Sequence, residues 1–203
     1  NASFFWSKAS VLLSIPFLFI TLEIGIAIAF QFILDYAHID ISTYLSLYYY
    51  QGIPLVFYIL LTLFIQTLSP GKYLGMAISG IVIAVFGTNL SGYLGIEHPL
   101  LRIGYMPSVT FSDMSGVSNN ASAFHLLSSN WIIAGLILSI LALHGWQRGI
   151  AGNFQEHIKQ LFRGWTSRKL VPLSIFTLLF LCTSGMIFYK TNVEAEYLSS
   201  DSV

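Results

Sequence analysis

The segment WIIAGLILSILALHGW (residues 131–146) runs directly into QRGIAGNFQEHIKQLFRGWTSRK (residues 147–169), and this junction decides the fold. The first part carries no formal charge and is bracketed by Trp131 and Trp146, as is typical of a membrane-spanning helix whose ends lie in the two headgroup layers. The second part holds five of the chain's nine Lys and Arg residues beside one acid, Glu156. Because basic loops remain on the cytoplasmic side, the positive-inside rule predicts that residues 147–169 lie in the cytoplasm.

The composition extends this interpretation to the whole chain. Of its 203 residues 55% are hydrophobic and 9% are charged, and the mean hydropathy is +0.73, which is more apolar surface than a soluble domain of this length can bury. A formal net charge of zero argues against nucleic acid as a partner. The single cysteine, Cys182, provides neither a disulfide framework nor a thiolate metal site. The chain is therefore predicted to be an integral membrane protein that lies in the lipid bilayer.

Five apolar runs separated by turn signals predict five membrane spans, and hence an all-α, polytopic membrane helix bundle. The predicted spans are residues 9–34, 47–68, 73–93, 131–146 and 171–189. With the amino end in the cytoplasm and the carboxyl end outside, seven basic residues lie inside and two, Arg102 and Lys190, lie outside. The topology therefore agrees with the charge of every loop.

The longest stretch between spans, residues 94–129, is predicted to lie at the outer membrane surface. It is too apolar for a solvated loop and too interrupted by proline and charge for a span, so short re-entrant helices that dip into the outer leaflet are expected. Its candidate functional residues are Glu97 and Asp113. Asp113 is interpreted either as the cap of a short helix, which is favoured, or as a contact to an external domain.

Residues 148–169 carry the pattern of an amphipathic helix at the cytoplasmic surface. Arg148, Lys159 and Arg163 lie off the apolar stripe, so the helix is expected to rest on the membrane surface. The stripe repeats at helical spacing and consists of Ile150, Phe154, Ile158, Leu161, Phe162 and Trp165, of which Phe154, Ile158, Phe162 and Trp165 are the predicted membrane-surface residues.

Glu23 is the formal charge deepest inside a predicted span, and Gln31 is a second polar candidate on the same helix. An ionised carboxylate at that depth costs on the order of 3 kcal/mol or more, so Glu23 is expected to face other helices and to be hydrogen-bonded or protonated. Two interpretations stay open. Glu23 either contacts Ser, Thr or Tyr of a neighbouring helix, or forms part of a substrate path or coupling switch.

The sequence shows no catalytic or metal-binding pattern. The five histidines have no ligand spacing, and the glycines follow neither a GxGxxG nor a Walker pattern. No cofactor, no metal and no enzymatic activity are therefore predicted for this chain, and ATP would have to bind a partner.

The order of the spans resembles spans three to six of a type-2 ABC exporter permease, with residues 94–129 in the position of that family's external re-entrant helices. The resemblance becomes more specific through short motifs, which look like the second permease half of bacterial proteins that fuse such a permease to a zinc aminopeptidase. These motifs are SK (residues 7–8), GKYLG (71–75), FSDMSG (111–116), WQRG (146–149) and IFYKTNV (187–193). Ser115 and Lys190 depart from the pattern, because Asn is expected at both positions.

The resemblance implies three domains and several partners. Residues 1–147 would be permease-like spans, residues 148–169 the cytoplasmic interfacial helix, and residues 170–203 the fifth span and an external linker. The expected partners are an ABC ATPase subunit, another permease half or dimer partner, and an external zinc aminopeptidase domain. The expected location is the bacterial inner membrane. The resemblance also implies that a coupling helix and two further spans precede this segment in the family.

Three functions remain as hypotheses: part of an ATP-driven permease, an anchor for an external peptidase, or an ion-coupled carrier. A carrier predicts several intramembrane acids or inverted repeats. Because Glu23 alone meets that description, the carrier ranks last and the permease first.

Overall fold

The structure is a computed structural model that describes residues 2–35, 39–88, 90–112, 116–117, 120–146 and 154–194. It is a bundle of helices, which confirms the predicted all-α, polytopic membrane fold. The helices are α1 (Ala2–Ile33), α2 (Ile41–Tyr50), α3 (Gly52–Leu68), α4 (Lys72–Phe86), α5 (Leu90–Tyr93), α6 (Ala121–Gly145), α7 (Phe154–Leu161) and α8 (Ser167–Tyr189), and α8 continues as a π turn (Lys190–Glu194).

Four segments of the described chain are long and apolar enough to cross a membrane. They have mean hydropathies between 1.7 and 2.3 and comprise Phe5–Ile33, Ile41–Leu68, Ala121–Gly145 and Ser167–Glu194. The predicted third span, 73–93, is shorter than expected, because α4 has 15 residues and spans about 22 Å of a hydrocarbon core that is about 30 Å thick. The helix ends at Phe86, and α5 begins four residues later.

The second span consists of α2 and α3, which are separated by one residue, Gln51. Asp40 caps α2, since its carboxylate accepts hydrogen bonds from the Ser42 backbone N–H at 3.0 Å and from the Thr43 hydroxyl at 2.6 Å. Pro54 in the first turn of α3 has no N–H to donate and its ring crowds the preceding turn, which accounts for the break at Gln51.

The centre of the bundle is the pair α3 and α6, which pack closely at Gly135. A Cβ atom at Gly135 would lie 3.0 Å from Leu60 Cδ1, so a small residue is needed for this approach. Two buried clusters surround the pair. One contains Phe5, Ala9, Leu63 and Ala142, and the other contains Phe57, Leu127, Trp131 and Ile187.

The two clusters mark the two ends of the bundle. The Trp146 end comprises the start of α1, the turn between α3 and α4, the end of α6, α7 and the start of α8. The Lys190 end comprises residues 90–112, the start of α6 and the end of α8 with the π turn. The sequence predicts the Trp146 end in the cytoplasm and the Lys190 end outside.

The predicted re-entrant helices of residues 94–129 are not found in the described part of that segment. Residues 94–110 form turns and extended chain, and β1 (Phe111–Ser112) pairs antiparallel with β2 (Gly116–Val117). Gly95 and Gly104 both have φ of +75°, which interrupts any right-handed helix. α6 already begins at Ala121, ten residues before the predicted start of the fourth span at Trp131.

The amphipathic helix predicted over 148–169 is also shorter than expected. Its described part is α7, which has eight residues and ends at Leu161, while residues 147–153 lie outside the described residues. Gly164 has φ of +78°, so the chain turns there and α8 begins at Ser167, four residues before the predicted fifth span. The predicted linker is described as far as Glu194.

Candidate functional site

A cavity of about 310 Å³ lies at the Lys190 end, where residues 99–107, the first turns of α6 and the end of α8 meet. Most of its walls are apolar, and its polar groups come from few side chains. The lining residues are Pro99, Tyr105, Pro107, Ser122, Ala123, Leu126, Leu127, Ile187, Lys190 and Thr191. Such a cavity, with apolar walls and a small number of polar groups, is the usual form of a small-molecule site.

One wall of the cavity, residues 99–107, is held in place by contacts with α3. Gly104 lies so close to α3 that a Cβ atom there would be 2.6 Å from the Phe57 ring. The Tyr58 hydroxyl donates a hydrogen bond to the Ile103 carbonyl at 3.1 Å. This segment therefore packs on the bundle although it contains no helix.

Arg102 stiffens the same wall from the side of α5. Its Nε donates a hydrogen bond to the fully buried Ser91 hydroxyl at 2.9 Å, and its guanidinium carbon lies 4.1 Å from the centre of the Tyr105 ring. Because the guanidinium is used in these contacts, Arg102 positions Tyr105 at the cavity.

His98 joins this wall to the π turn after α8. Its Nδ1 accepts a hydrogen bond from the Leu100 backbone N–H at 3.2 Å, and its Nε2 lies 3.0 Å from the Asn192 side-chain nitrogen. Thr191 Oγ1 lies 3.5 Å from the same Nε2 and donates to the Ile187 carbonyl at 2.9 Å. These contacts hold Lys190 and Thr191 beside the cavity.

Lys190 supplies the positive charge of the site. Its side chain is exposed and lines the cavity, and it makes no hydrogen bond or ion pair with the described residues. Ser122 and Ala123 lie in the first turn of α6, where backbone N–H groups have no partner within the helix. Lys190 is the charged residue among those that line the cavity, and its ammonium favours an anion there.

Glu23 does not make the contact that the structural interpretation expects. It is exposed on α1, and it forms neither a hydrogen bond nor an ion pair with any described residue. The nearby Thr21 instead hydrogen-bonds with the Tyr48 hydroxyl at 2.7 Å. The fully buried residues of α1 are Phe5, Ala9 and Ile20, which lie before Glu23 in the helix. Gln31 is half-buried, and its Oε1 has no hydrogen-bond partner.

The structure describes one of the two candidate residues of the outer segment, Glu97, and not the other, Asp113. Glu97 is half-buried next to His98, but it does not line the cavity. Asp113 lies outside the described residues.

The membrane-surface candidates divide into two groups. Phe154 on α7 and Phe162 after it are exposed, with 50% and 80% of their surface accessible, and their contact with lipid stays a prediction. Ile158 is half-buried. The predicted place of Trp165 in the helix is wrong, because α7 ends at Leu161, while its contact with the membrane stays a prediction.

Trp165 packs on the end of α6 instead. Its ring stacks on His144 at a centroid distance of 4.1 Å, and its Nε1 donates to the Leu161 carbonyl at 2.6 Å. His144 Nε2 lies 3.0 Å from the Arg163 carbonyl oxygen. Because a carbonyl oxygen accepts hydrogen bonds and cannot donate them, Nε2 carries the proton. Lys169 Nζ then lies 3.5 Å from the accepting Nδ1. Side chains of α6, of residues 161–165 and of α8 therefore pack together at the Trp146 end.

Asn130 was not identified from the sequence as a functional residue, although it joins two spans. It is fully buried in α6, and its Oδ1 accepts hydrogen bonds from Thr183 at 2.7 Å and Ser184 at 2.9 Å, both on α8. The signal in the sequence was an amide in one apolar helix and adjacent hydroxyls in another.

Within the described ranges, no three His, Cys, Asp or Glu side chains are arranged to hold a metal ion. No family model, no curated protein and no solved structure matches the chain. The resemblance to the permease family therefore stays a prediction.

Proposed function

We propose that the chain is a membrane-spanning part of an ABC-type transporter permease of the bacterial inner membrane. The observation that carries the proposal is the exposure of α1. Within its most apolar window 11% of residues are buried, and Glu23 has no partner among the described residues. A carboxylate that faces lipid costs on the order of 3 kcal/mol, so α1 is expected to contact further membrane helices. Another permease half or dimer partner would supply them.

The ends of the bundle provide places for the other two partners that the resemblance implies. An ATPase subunit would contact the Trp146 end, which carries Lys8, Lys72, Arg163 and Lys169 on the predicted cytoplasmic side. A zinc aminopeptidase domain would lie beyond the Lys190 end. Hydrolysis of ATP and of peptides would both take place in those partners, and this chain would supply the membrane path.

The proposal is tested by purifying the protein with an affinity tag from its native membrane in a mild detergent. We expect a protein with a Walker ATP-binding motif to copurify in a fixed ratio and the complex to hydrolyse ATP. An unrelated membrane protein with the same tag is the control. A complex with a peptidase and without an ATPase would support the anchor hypothesis and overturn the permease.

The predicted orientation has its own test, which uses exposed serines at opposite ends of the bundle. In a Cys182→Ser background, a membrane-impermeant thiol reagent applied to intact spheroplasts should label Ser108→Cys and leave Ser167→Cys unlabelled. After the membrane is permeabilised, both variants should react, which controls for the accessibility of each thiol. Labelling of Ser167→Cys alone in intact cells would reverse the topology.

A further inference from the structure

We propose that the cavity at the Lys190 end binds an anionic amphiphile, a molecule with one carboxylate or phosphate group on a single short alkyl chain. Binding of such a molecule requires neither an ATPase nor transport. The site combines an apolar cavity of about 310 Å³ with a lysine that has no partner among the described residues. The apolar cavity predicts the alkyl chain of the ligand, and the lysine predicts its anionic group.

The apolar walls define the chain of the ligand. Pro99, Leu126, Leu127 and Ile187 come from three different parts of the fold and line the cavity. A volume of about 310 Å³ is at the lower end of the range for small-molecule sites, about 300–1,000 Å³. The cavity therefore suits one short alkyl chain, and a phospholipid with two long chains is too large to enter it completely.

The charge of Lys190 defines the head of the ligand. Lys190 directly follows Tyr189, the last residue of α8, so its ammonium lies where the apolar helix ends and the polar surface begins. Tyr105 and Ser122 also line the cavity, and their hydroxyls can donate hydrogen bonds to an oxyanion. An anionic head meets a cation and several donors here, whereas a cationic head meets an unfavourable charge.

The proposal is tested with the whole chain, purified in an uncharged detergent. Decanoate, decyl phosphate and decyltrimethylammonium are titrated, and binding is measured by native mass spectrometry and calorimetry. We expect the two anions to bind saturably and the cation to bind at least about tenfold more weakly. Shortening the alkyl chain should weaken binding by up to about fourfold for each methylene removed. Equal affinities for decanoate and decyltrimethylammonium would overturn the proposal.

Two variants separate the charge from the cavity. Lys190→Met should weaken decanoate binding by about tenfold or more, Lys190→Arg should retain it, and Lys72→Met at the other end is the matched control. Ala123→Phe keeps Lys190 and fills the cavity, so it should also abolish saturable binding. If decanoate binds Lys190→Met and Ala123→Phe as tightly as the unchanged chain, the cavity is not its site. The retained binding of Lys190→Arg shows that binding requires a positive charge at residue 190.

A last comparison distinguishes a free amphiphile from a membrane lipid. The chain is placed in nanodiscs of phosphatidylcholine or of phosphatidylglycerol, and decanoate binding is measured in both. Equal binding in the two lipids assigns the site to free amphiphiles. Competition by phosphatidylglycerol that disappears in Lys190→Met assigns it to an anionic lipid that inserts one chain, and competition that persists in this variant would contradict a site built on Lys190.

Discussion

Replacing Gly104 with alanine is expected to lower the free energy of unfolding by about 2–5 kcal/mol. Two effects add at this position. The backbone has φ of +75°, which costs an L-residue about 1–2 kcal/mol. The new Cβ would also lie 2.6 Å from Phe57 Cε1 and 3.0 Å from Tyr58 Cζ, so the buried Phe57 ring or the loop must move, and overpacking of this kind costs about 1–3 kcal/mol.

Gly95 provides a matched control for this prediction. It has the same φ of +75°, but a Cβ atom there would have no neighbour within 4 Å. Gly95→Ala should therefore show the backbone cost alone, about 1–2 kcal/mol. Thermal unfolding of the purified variants in detergent measures the difference. If both substitutions lower the stability equally, the close packing of residues 99–107 on α3 does not exist in the protein.

Displacement of this loop should also affect the cavity, because Tyr105 and Pro107 follow Gly104 directly in the wall. Gly104 was not identified from the sequence, since a glycine between Ile103 and Tyr105 is compatible with any loop. The need for glycine appears when Phe57, which lies far away in the sequence, is placed against it. Contacts of this kind depend on tertiary packing, so the hydropathy of the sequence does not predict them.

The spans themselves could be predicted because one-dimensional properties determine them. Long uncharged runs, bracketing tryptophans and the turn residues at 69–71 suffice to place the helices, apart from their ends. One error occurred where the chain leaves the helical path without a change in the apolar pattern. In the sequence, Trp165 falls at helical spacing from the apolar residues before it. In the structure, the chain turns at Gly164, which has a positive φ, and Trp165 packs on His144.

The cavity could not be predicted, because its walls come from segments that are distant in the chain. Leu127 and Ile187 are sixty residues apart in the sequence and share one buried cluster. Lys190 was interpreted from the sequence through its effect on topology and as a departure from a family motif. Glu23 is the opposite case, a residue that the sequence identifies and the structure does not explain. The sequence correctly singled it out as a charge within a span, yet its partner does not lie among the described residues, so neither the sequence nor this fold assigns its role.

The contact between α6 and α8 depends on Asn130, and Asn130→Ala is expected to lower the free energy of unfolding by about 2 kcal/mol. The substitution removes two interhelical hydrogen bonds, each worth about 0.6–2 kcal/mol in a membrane protein, and the packing of a fully buried side chain. One opposing effect limits the loss. Asn130 Nδ2 is buried without a hydrogen-bond partner in the described structure, so removing it relieves an unfavourable burial.

The hydroxyl partners remain hydrogen-bonded in part when Asn130 is absent, which makes a single substitution insufficient. Thr183 Oγ1 also lies 3.1 Å from the Leu179 and Phe180 carbonyls of its own helix. A double-mutant cycle of Asn130→Ala with Thr183→Val isolates the interhelical bond and should give a coupling of about 0.6–1.7 kcal/mol. Ser139→Ala is the control, because Ser139 donates to Gly135 within α6, and its effect should stay within about 0.5 kcal/mol. A coupling of zero would show that α6 and α8 are joined by apolar packing and not by the amide.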